Sequence, residues 1–153
     1  MNIVNHLTGI LEAMVQSTAS PLLSWQYNRP ARANVENDYT KTPTAVMYCI
    51  TDWVTGTEMA REVASVTCGF LQVNPEVDWD GIATDAIIDT MKAVAFDFIA
   101  RVNSAGVVEI TADTVRVRSV FDTDDRNLAG VYLQMDVREV QGECMDNYNT
   151  DGL

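Results

Sequence analysis

A helix-length apolar stripe over residues 81–103 constrains this chain more than any other feature. Ile82, Ala86, Ile87, Met91, Val94, Ala95, Phe98, Ile99 and Val102 recur at three- and four-residue steps, with Asp85, Asp89 and Lys92 opposite. Asp97 and Arg101 add an i,i+4 ion pair of favourable order, and Asn103-Ser104-Ala105-Gly106 ends the segment. A stripe this broad has to be covered by another element. The segment that follows has a different period. Over residues 130–140, Val131, Leu133, Met135 and Val137 alternate with Tyr132, Gln134, Asp136 and Arg138, a strand with one buried and one wet face. Residues 107–121 set Val115, Val117 and Phe121 against Arg116 and Arg118. The intervening DTDDRNLAG has turn chemistry, so the two runs predict an antiparallel hairpin.

The first half supplies the remaining layers. Residues 2–18 carry Ile3, Leu7, Ile10, Leu11, Met14 and Val15 at helical spacing, with Asn5, Glu12 and Gln16 outside and a stop near Ser20-Pro21. Glu12 interrupts the apolar part, so the segment reads as an amphipathic helix and not as a signal peptide. Residues 22–27 form a short strand candidate. Residues 28–43, punctuated by Pro30 and Pro43 and poor in aliphatic side chains, read as an extended loop or arm. Residues 44–54 are apolar on both alternating faces and predict an interior strand covered on two sides. Residues 57–73 have a start that is helical by propensity. Their second half, with Val66, Cys68 and Phe70 alternating against Ser65, Thr67 and Gly69, favours strand. Residues 74–80 form an acidic loop in which Asp78 or Asp80 would cap the long helix. Helices and strands are segregated along the chain, so the expectation is one α+β domain over 1–140. In it an antiparallel sheet packs on one long and one N-terminal amphipathic helix, and an acidic tail follows over 141–153.

Charge then narrows the function classes. The chain has 22 acidic and 10 basic residues, net −12, so its surface repels nucleic-acid backbones and anionic membranes. With 47% hydrophobic and 21% charged residues it is ordinary globular material, and no apolar run reaches membrane-spanning length. Cys49, Cys68 and Cys144 are odd in number and show no metal-ligand spacing, which points to reduced, structural thiols and a cytoplasmic folding compartment.

Each candidate for chemistry has a plainer structural account. His6, the only histidine, has no sequence signal for a nucleophile to serve. Asp122, Asp124 and Asp125 begin a carboxylate ladder but lack the glycine and closing glutamate of a calcium loop, and suit a hairpin tip. Glu76, Asp78, Asp80, Asp85 and Asp89 suggest metal-assisted nuclease chemistry, yet acids gather at a helix N-terminus through its dipole alone. No phosphate-cradling or nucleophile-elbow motif occurs. We therefore expect no catalytic residue, no metal and no cofactor. The aromatics and arginines in and beside the arm, Tyr27, Arg29, Arg32 and Tyr39, are types enriched in protein interfaces and are the candidate subunit contacts.

The helix IIDTMKAVAFDFIARVN (87–103) and the hairpin VRVRSVFDTDDRNLAGVYLQMDV (115–137) resemble the tail-completion proteins of tailed bacteriophages, the tail terminators and neck or connector rings. The resemblance runs from about Val63 to Val140, and the segment 28–43 matches no pattern of that family. It implies a structural virion protein without enzymatic activity, assembled in the bacterial cytoplasm into a sixfold or twelvefold homo-oligomeric ring. Such a ring contacts other neck, portal or tail proteins, has no membrane association, and lets DNA pass through without specific binding. Two other readings compete. An acidic mimic of DNA that blocks a host DNA-binding protein would use the negative charge. A carboxylate–metal nuclease or phosphatase would use Asp122, Asp124 and Asp125.

Overall fold

The computed structural model describes residues 2–29, 38–56, 58–74, 81–121 and 127–144. The first helix, α1 (Ile3–Gln16), starts at Asn2, whose side-chain oxygen accepts the Asn5 N–H at 3.1 Å. A second orphan amide, the Ile3 N–H, donates to Glu62 Oε1 at 3.1 Å, so a distant strand also caps the helix. Then come β1 (Ser24–Tyr27), β2 (Thr44–Thr55), β3 (Met59–Val73) and α2 (Ile82–Ala105). They are followed by β4 (Val108–Ile110), β5 (Arg116–Val120), β6 (Leu128–Glu139) and β7 (Glu143–Cys144). The fold is α+β, with both helices on one face of a seven-stranded sheet of order β1-β2-β3-β6-β4.

One edge departs from the antiparallel expectation. β1 pairs parallel to β2, Ser24 opposite Thr44 and Tyr27 opposite Met47. Residues 28–43 are long enough to bring the chain back to the end from which β1 started, which a tight hairpin turn does not do. The other pairings are antiparallel, and their register puts like faces together. Ala45, Phe70 and Val131 form one cross-strand row, Met47, Cys68 and Leu133 the next, and Cys49, Val66 and Met135 a third. On these rows α1 lays Ile3, Leu7, Leu11 and Met14, and α2 lays Met91, Val94, Ala95, Phe98 and Val102. The Phe70 and Phe98 rings meet at 5.8 Å and 55°, a tilted geometry that aromatic quadrupoles favour.

Several predicted details are corrected. The buried stripe of α2 begins at Ile87: Ile82 is 70% exposed and Ala86 is also outside. At 3.6 residues per turn, Ile82 lies about 160° and Ala86 about 120° around the helix from Phe98. Gly81, at φ 79°, takes the N-cap expected of Asp78 or Asp80, which lie outside the described residues. The interior strand is covered on two sides only in its first half. From Ile50 (65% exposed) onward the face of β2 away from the helices is open, with Val54 in water, and on the helical side Trp53 stands in water past the helical layer. The single strand expected over 107–121 is two, β4 and β5, both along β6 and separated by a 3-10 turn at Ala112–Thr114. Thr114 mends the gap, its Oγ1 accepting the Asp136 N–H at 2.9 Å while the Asp136 carbonyl takes the Thr111 N–H at 2.9 Å. Glu143 and Cys144, placed in the acidic tail, instead pair with Ala60 and Met59 of β3; residues 145–153 lie outside the described residues.

Candidate functional site

Of the four candidate contact residues the structure brings Tyr27 and Arg29 together. Tyr27 ends β1, and its hydroxyl takes the place of a missing strand at Cys49. It accepts the Cys49 N–H and donates to the Cys49 carbonyl, both at 3.2 Å. Burial of the hydroxyl raises the Tyr27 pKa above its ordinary value. Its ring lies 5.9 Å from that of Tyr48, and the Arg29 guanidinium sits 5.0 Å over the Tyr48 ring while donating to the Tyr48 hydroxyl at 3.2 Å. Tyr27, Tyr48 and Arg29 thus form a stacked cluster on the edge of the sheet, with Tyr27 41% exposed. Tyr48, which the sequence reading missed, is its centre. Only its place on the opposite face of β2 from Met47 and Cys49 could have signalled it.

Tyr39 is the correction. It is 6% exposed and packs with Val46, Leu71 and Leu128 in a small second cluster on the face of the sheet away from the helices. The end of the arm is tied down there, the Asp38 N–H donating to Gln26 Oε1 at 2.9 Å and Gln26 Nε2 to the Asp38 carbonyl at 2.8 Å. Buried in its own chain, Tyr39 is not a surface contact. Arg32 lies outside the described residues.

The candidates for chemistry are not brought together among the described residues. Among the described residues no group of three or more His, Cys, Asp or Glu side chains could hold a metal ion. Asp85 and Asp89 stand exposed on the outer surface of α2, while Glu76, Asp122, Asp124 and Asp125 lie outside the described residues. His6 Nε2 is buried with no hydrogen-bond partner among the described residues, and burial lowers its pKa, which favours the neutral ring. Cys49 is pushed up to about 12 by burial and then by the charge of Glu62, and burial also raises Cys68, so both thiols stay protonated and unreactive. Glu62 and Glu139 are buried but committed to the backbone, Glu62 to α1 and Glu139 Oε1 to the Glu62 N–H at 3.0 Å.

A shallow groove of about 310 Å³ crosses the sheet face away from the helices, lined by Ser65, Thr67, Thr114, Arg116, Gln134 and Asp136. A second of about 230 Å³ lies between Ser20-Pro21 and the Thr90–Arg101 side of α2. Among the described lining residues neither holds a histidine or a cysteine, and in the first Ser65 Oγ donates to Asp136 Oδ1 at 3.0 Å. Among the described residues no helix is long and apolar enough to cross a membrane. No protein-family model matches the chain, and no curated protein matches it.

Proposed function

We propose that this protein is a non-enzymatic structural subunit of a closed ring at the head–tail neck of a tailed bacteriophage, a tail-completion or connector ring through which DNA passes. The observation that carries the reading is the packing of α2 across the β3–β6 ladder. Of these, α2 and β6 belong to the helix and hairpin whose sequence resembles that family, and Phe98 of the helix meets Phe70 of β3 beside them. Large apolar side chains left in water at Ile50, Trp53, Val54 and Phe96 support it, because a protein that works as one of many copies needs surface to bury. The distribution of charge disfavours the DNA mimic. On the described strands, the sheet face away from the helices carries Arg61, Arg116, Arg118 and Arg138 against Asp52, Glu109 and Asp136. A mimic needs continuous carboxylates.

Negative-stain imaging and light scattering of the purified full-length chain test the reading. Rings of sixfold or twelvefold symmetry are expected. A protein that stays monomeric at every concentration and is missing from purified particles overturns it.

A further inference from the structure

Among the described residues two surfaces lie mostly uncovered, and each carries a pair of like charges, opposite in sign to the other pair. One is the sheet face away from the helices. On β5 the exposed Arg116 and Arg118 point there, opposite Gln134 and Tyr132, and neither makes an ion pair among the described residues. The other is the outward ridge of α2, where Ile82, Asp85, Asp89, Ala93, Phe96 and Ala100 all stand exposed. Asp85 makes no ion pair among the described residues, and Asp89 has only an exposed Lys92 at 3.7 Å.

The spacings match as well as the signs. Alternate residues of a strand lie about 7 Å apart, which sets the Arg116–Arg118 step. Residues four apart on a helix rise about 6 Å, which sets the Asp85–Asp89 step. Apolar surface accompanies the charge on both sides, Ile50 at 65% exposed on the sheet face and Phe96 at 51% exposed on the ridge.

The two surfaces are on opposite sides of the same two-layer molecule, one behind the sheet and the other outside the helices. A contact that joins them is therefore heterologous, helix of one copy to sheet of the next, and such contacts repeat around an axis, giving a ring where the rotation closes and an open filament where it does not. We propose that in the ring the outward ridge of α2 lies across the open sheet face of a second copy of this chain, with Asp85 and Asp89 against Arg116 and Arg118. The inference rests on the ring reading above. A nucleic acid is the less favoured occupant of the sheet face, since Asp52, Glu109 and Asp136 interleave its arginines and leave little net positive charge there.

Charge reversal with exchange tests the contact. The double variants R116E/R118E and D85R/D89R alter exposed side chains only, so both should stay folded, D85R/D89R unfolding at a slightly lower temperature because Asp85 lies in the first turn of α2. At low salt, sedimentation should show each variant alone associating at least roughly tenfold more weakly than wild type, because like charges then meet. The equimolar mixture should assemble again, since the reversed sheet of one variant meets the reversed helix of the other. Rings that persist in both variants, or a mixture that stays dispersed, overturn this contact and leave the ring reading intact. A wild type monomeric in solution and absent from particles removes the ring reading and the contact with it. Unchanged assembly together with lost retention of duplex DNA in R116E/R118E assigns the face to DNA and also overturns the contact.

Discussion

Gly130 stands opposite Leu71 in the β3–β6 ladder, and a Cβ placed there would run into the Phe70 carbonyl oxygen and crowd the Leu71 backbone. Neither obstacle is a side chain that can swing away. Gly130→Ala should therefore cost about 3 kcal/mol or more in urea unfolding, at or beyond the upper end of overpacking penalties. A loss under about 1 kcal/mol would mean that the two strands separate more easily than their register suggests. Gly69 is the useful contrast. A Cβ there would sit 2.6 Å from the edge of the Tyr132 ring, a part-exposed side chain that can rotate, so Gly69→Ala should be the milder change. Neither glycine's role was legible in the sequence, because alternation assigns a face and is silent on how closely a neighbouring backbone approaches. The burial of Tyr39 was hidden for the same reason, since what covers it is two strands distant in sequence.

At the level of elements, α2 shows what a periodic pattern does and does not tell. Phe96 and Phe98 are two residues apart, hence about 200° apart on the helix, and only Phe98 reaches the sheet. Phe98→Ala should cost about 3–5 kcal/mol through lost burial and the cavity left against Phe70, while Phe96→Ala should stay within about 0.5 kcal/mol. Chemical denaturation of the two variants, under conditions where the protein is monomeric, separates them. Comparable losses would mean that the helix is rotated from this packing. The stripe over Met91–Val102 was readable because the spacing of its residues is a property of the helix alone. Its first turns were misread because Ile82 and Ala86 continue the apolar composition without continuing the buried direction. The parallel β1–β2 pairing was unreadable for a different reason. Strand direction depends on how residues 28–43 return the chain, and no local preference encodes that.

Across the whole molecule, stability should be graded from the middle of the sheet outward. β3 is paired along nearly its whole length on both sides, with β2 and with β6, and its Cys68 and Phe70 are fully buried. β1 has four residues at an edge and β7 only two. In native-state hydrogen exchange the amides of Cys68–Leu71 and Val131–Leu133 should be the slowest, opening only on global unfolding, and those of β1 and β7 among the first to exchange. Exchange of the β3 and β6 amides as fast as those of β1 would show that the sheet is not one cooperative unit. The layering also fixes what is left for partners. Both helices lie on one face, and among the described residues the other is covered only in part, by the end of the arm at Tyr39.

What the sequence determined by itself is the set of elements and their inward faces. The helical period of α1 and α2, the alternation of β6 and the apolar start of β2 all follow from 3.6- and two-residue repeats, and with them the α+β class. Only the tertiary structure decided where elements stop being covered. It turned Ile82 and Phe96 outward, ran the second half of β2 past the helices, buried Tyr39 and set Arg116 and Arg118 on the face away from the helices. Burial depends on which distant segment arrives over a surface, and a local pattern carries no information about that arrival.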